Sequence, residues 1–354
     1  MRVLQLTTDL NFAGAERVIV DLVRGLRAAG LECAVAGLID EGGPGHGMAS
    51  RLREMGVEVF SAGLRRGADL RPWLRLWRFA RRWRPDVLDC HLFHAHLAGA
   101  LLRLGGVRRP MVWTYHTVER RAVPLRRAFY RLLSGGPECK VYVSKAVRQC
   151  QRSVCGVAPH EELLYNGIDL APFLNVEPVP GPVFGAVGRL APGKGHSDLL
   201  RAFGALCREN ERAVLRLAGD GPLARELQAV VEREGIAGRV EFLGFVEDVP
   251  GFLAGVGVFV HPSHSEGFGL ALLEALAAGL PCIASHVDAL PEVGGGFVDW
   301  VEPGEVDGLH QAMRRALDAA PDAARAAEQR RWATSFGAER MVEDYAELYR
   351  SLAR

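Results

Sequence analysis

The chain has 354 residues, about twice what one hydrophobic core usually organises, so its length favours two domains and excludes a small disulfide module. Apolar residues make up 49% and charged residues 24%, which argues against disorder, and no apolar run approaches the roughly 18–20 residues that a membrane helix needs. The net charge of +1 hides an asymmetry: residues 1–175 carry 26 Lys+Arg against 16 Asp+Glu and the remainder 17 against 26, net +10 and −9. A basic half suits an anionic lipid surface, a phosphorylated acceptor or nucleic acid, and composition does not choose among them.

In chain order, Met1 to Leu6 reads directly into a strand, without the charged leader, apolar stretch and cleavage site of a signal peptide, so a cytoplasmic location is expected. The loop from Thr8 to Glu16 follows, and Gly14 opens an apolar-periodic helix through Val18, Ile19, Leu22, Val23 and Leu26. Unpaired amides there would let phosphate or sugar oxygens approach; the alternative is a simple tight turn. The Gly-x-Gly-x-x-Gly dinucleotide fingerprint is absent from this end. Further strands are expected at Glu32–Leu38, Asp86–Cys90, Met111–Tyr115 and Lys140–Val143, alternating with helical patterns, which implies a parallel sheet covered by helices. Between them, Leu70 to Trp83 interleaves Trp73, Leu74, Leu76, Trp77, Ala80 and Trp83 with five arginines. This reads as a helix packed on its sheet, or as a peripheral contact with an anionic membrane. His91, His94 and His96 resemble a metal cluster but lack a carboxylate in a ligand motif, so acceptor contacts are the better reading for His91 and His94.

Pro172, Pro178, Pro180 and Pro182 mark a linker at residues 171–182, between a domain of residues 1–170 and one of 183–336. The strand rhythm then restarts at Val183–Val187, Val214–Leu217, Val240–Leu243, Val256–Val260 and Pro281–Ala284. From Val306 the chain turns helical, and a final helix within residues 337–354 is expected to pack back towards the first domain. The seven cysteines include no Cys-x-x-Cys and read as buried thiols.

In open parallel sheets, ligands sit beyond the carboxyl ends of the strands. After Val183–Val187 comes Gly188-Arg189-Leu190-Ala191-Pro192-Gly193-Lys194-Gly195, nearly a P-loop, but with Gly195 where Ser or Thr would ligate magnesium. What survives is a two-cation phosphate cradle of Arg189 and Lys194, unless the loop is merely basic and solvated. After Val256–Val260 comes His261-Pro262-Ser263-His264-Ser265-Glu266-Gly267-Phe268-Gly269-Leu270, leading to Glu274. Gly269 and Leu270 fall in a helix's first turn, whose free amides suit an anion, and the carboxylates of Glu266 and Glu274 could address a sugar and a ribose.

These segments, together with Gly14-Ala15-Glu16, Asp86 to His94, Thr114-Tyr115-His116-Thr117, Val143 to Val147 and Asn166 to Asp169, resemble the retaining nucleotide-sugar glycosyltransferases of glycosyltransferase family 4. The resemblance implies the GT-B fold, an α/β architecture of two Rossmann-like doubly wound parallel-sheet domains facing a cleft. It also implies a nucleoside-diphosphate sugar as donor, a glycan or lipid-linked acceptor, no resident cofactor or metal, and no nucleic-acid partner. Arg189 and Lys194 would neutralise the diphosphate with amides from Gly267, Phe268, Gly269 and Leu270. Glu274 would hold the ribose, the base would meet Gly244, Phe245 and Val246, and Gly14 would line the phosphates. Glu266 and His116 would contact the donor sugar in the catalytic step, with Ala13, His91 and His94 on the acceptor side. The chain departs from the family pattern at Ala13, in place of a usual glycine, and at Asp89, in place of a usual histidine. A reshaped turn at Gly294–Trp300, placed after the last strand, is a third departure. No Asp-x-Asp metal motif occurs. The competing readings are a P-loop nucleotide switch, a non-catalytic sugar-nucleotide-binding scaffold and a sugar-nucleotide epimerase.

Overall fold

The structure is a computed structural model that describes residues 1–10, 14–39, 47–64, 70–119, 124–132, 136–155, 157–179 and 181–354. By contacts the chain forms two compact units, Met1–Asp169 with Phe336–Arg354, and Leu170–Ser335.

The first unit runs β1 (Arg2–Thr7), α1 (Gly14–Ala28), β2 (Glu32–Gly37), α2 (Met48–Glu54), β3 (Glu58–Ser61) and α3 (Arg71–Trp83). It continues with β4 (Val87–His91), α4 (Leu92–Leu104), β5 (Met111–Tyr115), α5 (Pro124–Leu132), β6 (Cys139–Tyr142), α6 (Lys145–Cys155) and β7 (Glu161–Leu163). Its sheet has the order β3-β2-β1-β4-β5-β6-β7 and pairs parallel throughout. The central strands are buried on both faces, as parallel sheets require.

The second unit runs α7 (Ala171–Leu174), β8 (Val183–Val187), α8 (His196–Glu209), β9 (Val214–Ala218), α9 (Ala224–Arg233), β10 (Val240–Gly244) and α10 (Val249–Ala254). There follow β11 (Val258–His261), α11 (Leu270–Ala277), β12 (Cys282–Ser285), α12 (Leu290–Gly294), β13 (Val298–Val301), α13 (Val306–Asp318) and α14 (Ala323–Ala333). The six-stranded parallel sheet has the order β10-β9-β8-β11-β12-β13, and Phe184, Leu215, Leu217 and Val260 centre the core on one face under α8, α9 and α13.

α15 (Ala338–Leu352) returns to the first unit, burying Met341, Val342, Tyr345, Ala346 and Tyr349. It packs against α1 at Gly25, where any Cβ would run into the Val342 side chain. Ile168 pairs with Gly337 as the chain re-enters.

The structure adds strands β3, β7 and β13 to those expected, all of four residues or fewer and at sheet edges, where burial is incomplete and the apolar signal weak. It corrects the turn at Gly294–Trp300: Gly294 ends α12, and Val298–Val301 is itself the last strand of the sheet, so this turn precedes that strand. Residues 171–182 are not wholly linker, because Phe173 of α7 is buried and α7 packs on α11. Of the cysteines, Cys150 and Cys207 are only half-buried, while Cys33, Cys90, Cys139 and Cys282 lie in the core.

Candidate functional site

Each sheet reverses its strand order once, between β1 and β4 in the first unit and between β8 and β11 in the second. Beyond the carboxyl ends of strands at such a reversal the flanking helices diverge and leave a crevice. Arg189, Lys194 and Glu266 fall at the second of these places and Gly14 and His91 at the first, with His116 one strand further on, after β5.

In the second unit, β8 runs into Gly188 and the exposed Arg189, and Lys194 precedes α8. β11 ends at His261, and its loop carries Ser263 and Glu266 to α11. His264 N donates to Gly193 O at 2.8 Å and ties the two loops together. Three donors converge on Glu266 Oε1: Lys194 Nζ at 2.5 Å, His261 Nε2 at 3.0 Å and Ser263 Oγ at 3.0 Å. Burial pushes the Glu266 carboxyl up, but the hydrogen bond from His261 and the Lys194 charge outweigh it and hold the group down at about 2. The backbone N–H of Glu266 and the Ser265 hydroxyl both donate to Asp288 Oδ2, at 3.1 and 2.8 Å, so the loop is pinned on both sides of the carboxylate.

Gly269 caps α11 with φ +99°, a left-handed conformation that favours glycine, and presents the first-turn amides beside Glu266. Phe268 is 3% exposed, so its ring is not available to a ligand. Gly267 and Leu270 are partly open, whereas Glu274 is buried within α11. Gly244 ends β10 and accepts from Gly219 N at 2.7 Å, followed by the exposed Phe245 and the half-buried Val246. These three lie at the carboxyl edge of the sheet, two strands from Arg189. Gly195 caps α8 with φ +69°, and a Cβ there would run into the Pro262 carbonyl oxygen. The hydroxyl residue that a P-loop needs does not fit, which removes the nucleotide-switch reading on steric grounds.

In the first unit, Gly14 opens α1; Ala13 lies outside the described residues. His91 ends β4, and Leu92 follows in a left-handed conformation, φ +70°, that turns the chain sharply into α4. The acceptor reading of His91 is corrected: it is 1% exposed, with Nδ1 2.8 Å from His116 Nε2 and Nε2 2.5 Å from Gln5 Oε1. It supports His116 from beneath. Burial lowers His91 to about 3 and His116 well below the usual imidazole range, so both rings are neutral. His94 is exposed on α4, edge-on to Phe93. His96 is a core residue, stacked on Trp113 and bonded to Tyr130 Oη at 3.1 Å and the Thr114 carbonyl at 3.2 Å.

Sequence reasoning missed Gln5, Tyr349, His261, Ser263 and Asp288 as parts of these clusters. The first was visible as a polar residue between Leu4 and Leu6 in an otherwise apolar strand. α3 spends much of its apolar face on its own unit: Leu76, Phe79 and Trp83 are buried, Trp77 Nε1 donates to Gly105 O at 2.8 Å, and Arg82 pairs with Glu58. Among the described residues, no helix is long and apolar enough to cross a membrane.

Two families match in tandem, Glycosyltransferase Family 4 over residues 12–172 and Glycosyl transferases group 1 over residues 171–332. The chain is 32% identical to a glycogen synthase of Mycobacterium tuberculosis over 308 residues, 81% of this chain and 72% of that one. It is 30% identical over 214 residues to a GDP-mannose-dependent alpha-(1-6)-phosphatidylinositol monomannoside mannosyltransferase of the same species, 54% of this chain and 55% of that one. Among solved structures, Anabaena Alr3699/HepE in complex with UDP and glucose superposes with a TM-score of 0.85 at 22% identity, over 99% of this chain and 100% of that one. The paired parallel sheets and this similarity along nearly the whole chain make the protein a glycosyltransferase of GT-B fold, belonging to glycosyltransferase family 4.

Proposed function

We propose that this enzyme transfers a sugar, with retention and without a metal ion, from a nucleoside-diphosphate sugar to a hydroxyl of a glycan or lipid-linked acceptor. The observation that carries the donor assignment is the Lys194–Glu266 pair of 2.5 Å, set at the carboxyl ends of β8 and β11 beside the N-terminus of α11. It joins a cation for the leaving diphosphate to a carboxylate for the sugar hydroxyls. One relative is named for GDP-mannose and a structural neighbour holds UDP, in line with a nucleotide donor.

In this reading Arg189, Lys194 and the amides of Gly269 and Leu270 hold the diphosphate, and Glu274 holds the ribose. The base lies over Gly244–Val246, with Gly14 along the phosphates. The bond between the anomeric carbon and the phosphate oxygen breaks with its electron pair passing to the diphosphate, whose charge these donors stabilise. The acceptor oxygen bonds to the same face of the sugar, and its proton passes to the departing phosphate oxygen. His116 takes a hydroxyl of the donor sugar. Such a step depends on preorganised donors more than on a strong base, in keeping with the depressed carboxyl of Glu266.

A panel of nucleotide sugars screened by thermal shift in EDTA, followed by nucleotide release and NMR of the product's anomeric centre, tests the proposal. One nucleotide sugar should stabilise the protein without metal, less so in Lys194→Ala and Glu274→Ala, and the product should keep the donor's anomeric configuration. Inversion, abolition by EDTA, or conversion of the sugar nucleotide without an acceptor would overturn it. Flotation with anionic liposomes at low salt reads membrane contact separately.

A further inference from the structure

Gln5 of β1, Asp89 and His91 of β4 and Thr114 of β5 lie on one face of the sheet. Gln5 pairs in register with Asp89 and His91 with Thr114, and the two-residue period of a strand puts His91 on the face of Asp89 and His116 on that of Thr114. Tyr349 of α15 reaches the same face, with its hydroxyl 2.5 Å from Asp89 Oδ2 and 3.1 Å from Gln5 Nε2. Gln5, Asp89, His91 and Thr114 are all essentially inaccessible to water, so each must satisfy its hydrogen bonds within the cluster.

We propose that Asp89, Tyr349, Gln5 and His91 form a one-way hydrogen-bond relay that fixes His116 in its Nε2–H tautomer and leaves Nδ1 as an acceptor, matched to a hydroxyl. This rests on the reading of His116 as a contact of the donor sugar, and it makes the other four positioning residues. An ionised Asp89 can only accept, from Thr114 Oγ1 at 2.7 Å and from Tyr349. Tyr349 has then spent its one proton and must accept from Gln5 Nε2, which turns Gln5 Oε1 towards His91 Nε2. An amide oxygen cannot donate, so the His91 proton sits on Nε2. His91 is neutral, its Nδ1 therefore carries a lone pair, and His116 Nε2 must donate across the 2.8 Å between them. His116 is neutral as well, which leaves the lone pair on Nδ1, and that atom is buried without a hydrogen-bond partner among the described residues. A protonated Asp89 would let the chain run the other way and put a proton on Nδ1. Burial raises this carboxyl to about 7; Tyr345, Tyr349, Thr114 and His91 face it, and the Cys90 and Cys139 thiols lie within its field.

Long-range 1H–15N correlation spectra of histidine-labelled protein, recorded at pH 8 without ligand, read the tautomers directly. The expected result is a pyridine-like Nδ1 and a protonated Nε2 on both His91 and His116; a proton on His116 Nδ1 overturns the relay. Tyr349→Phe removes one hydroxyl at nearly constant volume, and Asp89→Asn keeps shape while offering a donor, so if one fails to fold the other still reads the chain. Each should give mixed tautomers at His91 and His116 and lower kcat/KM for the nucleotide sugar that the parent turns over by about tenfold. A rate loss with unchanged tautomers would assign these residues a structural role only and overturn the proposal. Because the spectra need no substrate, a protein that turns over no nucleotide sugar would defeat the functional reading while the relay stands or falls by itself.

Discussion

The two sheets reverse their strand order at equivalent places and furnish them in opposite ways. In the first unit the place is sealed: His91 is 1% exposed, and its neighbours are neutral rings, an amide and hydroxyls that end on a single carboxyl. In the second it is charged and open, with the Lys194 side chain 32% exposed against a carboxylate held near 2. In the proposed function the open cation would meet a departing diphosphate, while the buried network would fix the hydrogen-bond direction offered to a sugar hydroxyl.

The sharpest way to break this contrast is Lys194→Ala, which removes the cation and leaves Glu266 with His261 and Ser263. We expect kcat/KM to fall by about 10²–10³, measured as nucleotide release, with the fold intact by circular dichroism. A loss below threefold would refute a diphosphate role. His116→Gln should cost less, about tenfold to a hundredfold in kcat/KM, because a glutamine can still accept from a hydroxyl but is not steered by His91. Gly195→Ser tests the charged loop by shape. The new Cβ meets the Pro262 carbonyl, so stability should drop by about 1–3 kcal/mol in a denaturant titration, and no magnesium-dependent ATP hydrolysis should appear.

The smallest effect is the dependence of stability on pH. His91 and His96 are held at about 3, His196 at about 4 and His116 well below the usual imidazole value of 6.5, all by burial, so below pH 6.5 the unfolded chain binds protons that the folded chain does not. Their stabilisation is complete above pH 6.5 and drains away as the pH falls towards 3. Asp89, raised by burial to about 7, and Asp21, also raised by burial, act in the opposite sense, and the four rings outweigh the two carboxyls. The melting temperature should therefore decline from pH 7 to pH 4.5, and a rise over that span would show that the buried rings carry protons.

Much of this was legible from the residues. The long central strands announced themselves as continuous apolar runs, and Met111–Tyr115 and Val183–Val187 have the same bounds in sequence and structure. The loops carrying Arg189, Lys194 and Glu266 were legible because glycine and charge after a strand are rare without cause. The short strands β3 and β13 were not, since Glu58 and Asp299 break their apolar pattern. Nor was the pairing of Lys194 with Glu266, 72 residues apart, or of Gln5 with Tyr349, 344 apart, because such closeness is a product of topology. His91 was misread because a histidine at a strand's end looks equally like a ligand-facing group and a buried partner, and only burial separates the two.

The return of α15 to the first unit bears on how the protein is made. Residues 170–335 are contiguous and can close their core as soon as they leave the ribosome. The first unit cannot: until Tyr345 and Tyr349 emerge, the patch of its sheet around Gln5 and Asp89 lacks the helix that covers it. The unit that begins first is thus finished last, and a fragment of residues 1–169 should expose that patch and aggregate unless residues 336–354 are supplied to it in trans.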